Sequence, residues 1–368
     1  MPITIKDVAA RAGVSVATVS KILNHHPGIS EETTRRVEQV MRELEYAPNS
    51  RAASLARRAT RNIIYLTSLP ADIAYTNPHM FDILCGVQSA LSEKGYTLTI
   101  MDTCREEVPG STAEQIILQK LADGMIVHGA AIDKNISALL VRRKFPHILI
   151  GHPGDGSRLC WVDTNQILGG QIAAEHLLER GYRNIGFLTE GTTDEIAYLR
   201  LRGFRIAMQE AGVPVREDWI LHTTADLEGS YHAAFGLLSM QQRPDAVICG
   251  SNLLAFGLYQ VAAKQGLNIP EEMALITFDR YPYSTVLDPL PTFVQIDVHD
   301  LGRTAGAMML RVLKRPELLV QTYATVNLNT MLQLDHFPDM FQQGIGEVFV
   351  IQGNKICTII LYICWQPI

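Results

Sequence analysis

The sequence predicts an N-terminal all-α helix-turn-helix headpiece followed by an α/β, two-lobed body of parallel sheets. Three observations lead there. The first stretch of about 45 residues carries three short amphipathic segments, each preceded by a hydroxyl residue, with a glycine break between the first two. From residue 62 onward, apolar runs of strand length alternate with helical stretches, the order that gives parallel sheets wrapped by helices. Finally, RNIIYLTS from Arg61 and RNIGFLTE from Arg183 open two similar segments, and about ten strands are more than one such sheet usually holds. Two related lobes are therefore expected.

Size and charge agree with this division. At 368 residues the chain exceeds what a single core normally supports. Its 47% hydrophobic and 19% charged residues are those of a globular protein with ample core. Met1 to Arg61 hold 10 Lys and Arg against 6 Asp and Glu, so +4; the remainder holds 22 against 32, so −10. A basic end on an acidic body suits contact with a polyanion. Six scattered cysteines without a CxxC pair suggest reduced thiols. With no apolar leader and no run of about 18–20 apolar residues, a cytoplasmic, nucleoid-associated protein with no membrane partner is expected.

Thr4, with Asp7 three positions on, reads as the cap of a helix from Ile5 to Ala12, and Gly13 as its left-handed stop. Ser15 caps a second helix whose Val19, Ile22 and Leu23 form one apolar side. Ser30, followed by Glu31 and Glu32, caps a third with Val37, Val40, Met41 and Leu44 inward. On the second helix Val16, Ala17, Ser20 and Lys21 then face outward. Lys21 has the reach for a guanine edge or a phosphate, and Val16 and Ala17 suit a thymine methyl. Thr4, Ser15, Thr18, Asn24, Ser30, Thr33 and Tyr46 supply short donors for phosphate oxygens, or serve simply as solvated caps. Beyond them, Pro48 and Asn49 can start a short helix through Ala52 and Leu55. A leucine among Arg51, Arg57, Arg58 and Arg61 suits either a minor-groove wedge or an ordinary linker.

In the body, open parallel sheets bind ligands at the carboxyl ends of their strands. Asp163 after CWV, Asn252 after VICGS and Asp279 after ALITF stand at such ends, and Arg200 begins RLRGF. Carboxylates, an amide and one guanidinium suit a hydroxyl-rich ligand such as a sugar. The same residue types also end strands merely as caps or turns, and Arg200 is equally readable as a surface cation.

TIKDVAARAGVSVATVSKILN and GISEETTRRVEQVMRELEYAPNSRAASLA closely resemble the DNA-binding headpiece and hinge of the lactose-repressor and purine-repressor family. The resemblance implies base reading by Val16, Ala17 and Lys21 and minor-groove insertion of Leu55, with Asn49 and Ala52 in the same DNA-contacting stretch. It implies a body with the periplasmic-binding-protein-like fold, recognisable from about Ile63 to Pro316. RLRGF, SN and TFD match the family's ligand-binding positions at Arg200, Asn252 and Asp279; NPHMF places Asn77, Pro78 and His79 by the cleft, and VDTNQ places Asp163 at the first crossover. Leu253 and Arg280 depart from the family pattern, and Arg280 would favour an anionic effector if it points inward.

The expected division is a headpiece over 1–47, a hinge over 48–61, and an effector and dimerisation domain over 62–325. Its first lobe takes 62–163 and 292–325, its second 164–291, and an atypical apolar tail covers 326–368. The tail lacks the family's ending and is expected to be poorly ordered or sticky. The sequence has no GxSxG, HExxH, Walker loop or GxGxxG, so no enzyme, cofactor or metal is expected. The expected function is a homodimeric repressor of carbohydrate-use genes. Its partners would be a near-palindromic double-stranded operator and a small-molecule effector, with a solute-binding protein or a nucleobase-responsive regulator as alternatives.

Overall fold

The computed structural model describes residues 3–23, 27–46, 59–71, 79–154, 156–191, 194–224, 226–279, 287–320, 323–326, 345–352 and 355–362, with the backbone alone from residue 319. The chain divides into two compact units: residues 1–61 with 120–123, and residues 62–119 with 124–368.

In the first unit, helix α1 (Ile5–Ala12) has the expected bounds, and α2 (Val16–Leu23) and α3 (Glu31–Glu43) start directly after their expected caps, Ser15 and Ser30. Thr4 donates its backbone N–H and its hydroxyl to the Asp7 carboxylate at 2.8 and 2.7 Å, fixing the entry to α1. Gly13 ends that helix at φ 64°, where a side chain would be strained although space is open. Ser15 and Ser30 each accept the N–H three residues on, at 3.0 and 3.3 Å. Val8, Ala9, Ala12, Val19, Ile22, Val37 and Val40 form the buried core, and Tyr46 packs on its edge. Thr60 donates its N–H at 2.6 Å and its hydroxyl at 2.9 Å to one oxygen of Asp123, while the Arg61 N–H reaches the other at 2.9 Å.

In the second unit two parallel sheets repeat one strand order. β1 (Asn62–Thr67), β2 (Thr97–Asp102), β3 (Gly124–His128), β4 (His147–Ile150) and β5 (Trp161–Thr164) run 5-4-3-1-2, with β11 (Tyr323–Val326) added beside β5. β6 (Ile185–Glu190), β7 (Ile220–Thr223), β8 (Ala246–Cys249), β9 (Ala274–Phe278) and β10 (Thr292–Val294) run 10-9-8-6-7. The two RNI segments thus lead into β1 and β6, equivalent strands of their sheets. β10 pairs with β9 at Thr292–Ile276, Phe293–Thr277 and Val294–Phe278. This corrects the boundary expected at 291, because a three-residue strand is too short to show its sheet in the sequence.

Helices α4 (Met80–Ser92), α5 (Ser111–Leu118), α6 (Lys134–Arg143), α7 (Gln166–Glu179), α8 (Glu195–Glu210), α9 (Leu227–Leu238), α10 (Asn252–Gln265) and α11 (Val298–Lys314) cover the sheets. α4 and α11 share a core with the first sheet. α7 and α8 pack on one face of the second sheet, α9 and α10 on the other. In the tail, Ile345–Gln352 and Lys355–Tyr362 pair as an antiparallel two-stranded ribbon, β12 and β13, where no strand was expected.

The α7–α8 contact carries the site. A Cβ on Gly170 would overlap the Arg200 carbonyl oxygen, and one on Gly203 would overlap that of Ile167. Backbone meets backbone there, so neither side has a flexible atom to move. Gly203→Ala is expected to destabilise the protein by about 1–3 kcal/mol and to weaken effector binding by shifting Arg200, although residue 203 itself has no side chain to offer a ligand. Denaturant midpoints and effector titrations check both effects.

Candidate functional site

A cluster of desolvated polar groups lies where elements of the two sheets meet. Asp163, Arg200, Asn252 and Asp279 are only 5, 8, 5 and 6% exposed. Asp163 comes from β5 of the first sheet. Arg200 lies on α8 and Asn252 begins α10, while Asp279 follows β9. The Arg200 guanidinium sits 3.9 Å over the Phe278 ring, donates Nε–H to Gln166 at 2.9 Å and Nη1–H to the Gly250 carbonyl at 2.5 Å. Two donors and one ring face therefore hold the cation, so its orientation is fixed before any ligand arrives.

Asp279 ends its strand at φ 63°, a left-handed turn that Asp tolerates better than most residues. Its N–H bonds the Val294 carbonyl at 2.9 Å and its Oδ1 accepts the Ile296 N–H at 3.0 Å. Its other oxygen lies 3.4 Å from His79 Nε2. His79 precedes α4 without capping it, so its side chain joins the first lobe to the second. His152, which follows β4, makes a second such approach, 3.3 Å from Glu195 of α8.

Burial raises the Asp163 carboxyl from its ordinary 3.8 to about 6, against the lowering effects of the Thr164 N–H, His152, Arg200 and Gln166. Asp279 is raised for the same first reason, with His79, Arg200 and the Ile296 N–H opposing. A raised carboxyl contributes stability that is present below pH 3.8 and lost as the pH passes through about 6. For Asp163, raised from 3.8 to about 6, this corresponds to on the order of 3 kcal/mol. Asp163→Asn is expected to raise the melting temperature at pH 7.5 by several degrees and to change it little at pH 4, while weakening effector binding. Thermal denaturation at the two pH values, without ligand, reads the difference.

Of the residues expected at the effector site, His79, Asp163, Arg200 and Asp279 act on one another here, and Asn252 is buried at the start of α10 beside Ser251. Gln166, Phe278, His152, Ser251 and Glu190 were not expected. Gln166 lies within the quoted VDTNQ segment, and Glu190 and Ser251 stand at strand ends, so the rule that picked Asp279 was sufficient to find them. Phe278 reads as core in any sequence. Asn77, Pro78 and Arg280 lie outside the described residues.

On the headpiece, Val19 and Ile22 turn inward, whereas Ala17 and Lys21 are exposed and Val16 is 41% exposed. Thr18 and Ser20 are half-buried. Thr4, Ser15 and Ser30 remain exposed, yet their hydroxyls already act as caps or cap partners. Asn24, Asn49, Ala52 and Leu55 lie outside the described residues.

Residues 4–49 match the model of the bacterial regulatory proteins of the lacI family, and residues 174–326 match a periplasmic binding protein-like domain. The HTH-type transcriptional repressor PurR of Pectobacterium carotovorum subsp. carotovorum (strain PC1) is 33% identical over 315 residues, 83% of this chain and 89% of that protein. The chain belongs to the lacI family. The ribose operon repressor of Escherichia coli (strain K12) is another member, 30% identical over 322 residues, 86% of this chain and 95% of that one. In fold, a lac repressor dimer bound to operator and the anti-inducer ONPF superposes with a TM-score of 0.77 at 22% identity, over 89% of this chain and 97% of that one. As a lacI-family regulator the protein binds DNA through its headpiece and a small-molecule effector through its two-lobed domain. No described helix is long and apolar enough to cross a membrane.

Proposed function

We propose that the protein is a homodimeric repressor whose operator affinity is set by a hydroxyl-rich small molecule, a sugar or sugar derivative, held between the lobes. The observation that carries the reading is the convergence of Arg200, Asp163 and Asp279 from both sheets, with His79 against Asp279. Fixed carboxylates accept from hydroxyls, and the guanidinium donates to a ring or hydroxyl oxygen, so one polyol engages both lobes at once. The ribose operon repressor among its relatives is named for a sugar, the same ligand class.

Val16, Ala17, Lys21 and Ser20 are the proposed base-reading side of α2, with Thr4, Thr18, Ser15, Ser30 and Tyr46 at phosphates. Asn24 is a further phosphate donor, and Asn49, Ala52 and Leu55 complete the DNA-contacting set by resemblance. A helix as short as α2 spans few base pairs, which is why two headpieces on a near-palindrome are needed for useful affinity. A ligand that prefers one lobe arrangement must alter DNA affinity by the same factor that DNA alters its own.

Screening neutral sugars, sugar phosphates, sugar acids and nucleobases for thermal stabilisation tests the ligand class. Binding confined to nucleobases would remove the sugar reading. Selection from random duplex oligonucleotides, with and without the stabilising compound, tests the DNA role, and recovery of no preferred sequence in either case would defeat it.

A further inference from the structure

Glu190 is a carboxylate at the site that no expected role uses. It ends β6, and Gly250 and Ser251 follow β8, the strand directly paired with β6. The order 10-9-8-6-7 reverses between these two strands, since β7 lies on one side of β6 and the later strands on the other. Ligands of open parallel sheets bind in the crevice at such a reversal. The Glu190 carboxylate is held by the Ser251 hydroxyl. Its Oε2 stands 3.3 Å from the place a Cβ on Gly250 would occupy, and the Gly250 carbonyl accepts from Arg200 at 2.5 Å. Guanidinium and carboxylate are therefore held by neighbouring residues of the β8–α10 turn, Gly250 and Ser251.

We propose that Glu190 is a specificity-determining residue that balances Arg200 and makes the site select an uncharged, hydroxyl-bearing effector over its acid and phosphate forms. The inference rests on the sugar reading above and names the charge class within it. A buried guanidinium alone is a strong receptor for a carboxylate or phosphate, because its forked donors pair with two oxygens. Here Asp279, Glu190, Asp194 and Asp163 all act on Arg200. One formal positive charge against four negative gives −3 before His79 and His152 are counted. An arriving anion meets that field at close range, whereas a hydroxyl donates to a carboxylate and accepts from the guanidinium without bringing charge. Asp279 acts on Arg200 most strongly among the acids but is itself engaged by the Ile296 N–H and His79; Glu190 comes next, held on the turn that receives Arg200, and adds the charge that cancels the anion-binding fork.

The test is calorimetric titration of the full-length protein with sets matched except for charge: ribose, ribonate and ribose 5-phosphate; glucose, glucuronate and glucose 6-phosphate; galactose and galacturonate. The wild type is expected to bind a neutral member at least tenfold more tightly than its charged counterparts. Glu190→Gln, nearly isosteric, should reduce that ratio about tenfold or more, and Glu190→Asp should keep most of it. An acid or phosphate bound as tightly as its neutral form by the wild type overturns the inference and leaves the sugar reading standing, and this result needs no variant to fold. A folded Glu190→Gln protein with an unchanged ratio overturns it too. If no sugar of any charge binds while nucleobases do, the sugar reading fails and the inference falls with it.

Discussion

Replacing Arg200 with Met is expected to weaken effector binding by at least about a hundredfold and to leave operator affinity indifferent to effector. A hundredfold is about 2.7 kcal/mol, inside the range of about 2–5 kcal/mol seen when one partner of a buried, hydrogen-bonded charge pair is truncated. Met retains volume over the Phe278 ring but offers nothing to Gln166, to the Gly250 carbonyl or to a ligand oxygen. It also leaves Asp163 and Asp279 without the cation that opposes their upward shift, so both hold protons more readily. Arg200→Lys should recover little of the loss, because a point charge cannot reproduce two fixed donors and a stacked plane. Calorimetry gives the affinity, and operator titrations with and without effector give the response. A normal response in the Met variant would remove Arg200 from the site.

The second large effect is expected at Ala17→Glu, which should lower operator affinity by a hundredfold or more while leaving effector affinity unchanged. Ala17 is exposed on α2, away from the buried Val19 and Ile22. A glutamate there adds a negative charge and bulk at the surface proposed to meet base edges. Each mismatched base contact costs about 1–3 kcal/mol, and a dimer suffers it in both half-sites. The substitution separates recognition from folding unusually well. Glutamate is a good helix former, and position 17 lies in the first turn of α2, where an acid favours the helix dipole. The headpiece should therefore keep its stability as its DNA affinity collapses. Fluorescence anisotropy on a selected operator, beside a thermal melt, checks both parts, and an unchanged operator affinity would contradict the assignment of α2.

These two sites were legible in the sequence to different depths. The headpiece was legible to the residue, because Thr4, Ser15, Ser30 and Gly13 are local signals whose caps and left-handed turn need no distant partner. The alternation of strands and helices was likewise visible, including β1 and β6 as equivalent openings. β10, expected in the first lobe with residues 292–325, pairs with β9 of the second sheet. β7 mixes buried Ile220 with exposed His222, and β10 has three residues; neither offers a window long enough for a period to show. At the effector site, polar residues at strand ends were readable from one dimension. The brace around Arg200 was not. Gln166 is 34 positions away in sequence and Gly250 is 50, so only the folded crossing of α7 on α8 brings them together. The glycines that permit this crossing, Gly170 and Gly203, look like ordinary helix-weakening residues until the facing carbonyls are known.

The central claim is that one molecule held between the lobes and one duplex gripped by the headpieces compete for, or share, a single conformational equilibrium. Its most direct measurement is effector affinity determined calorimetrically in the presence and absence of saturating operator. The expected result is a change of at least about fivefold, equal in size and direction to the change that saturating effector produces in operator affinity. Identical effector affinity on free and operator-bound protein would contradict the account.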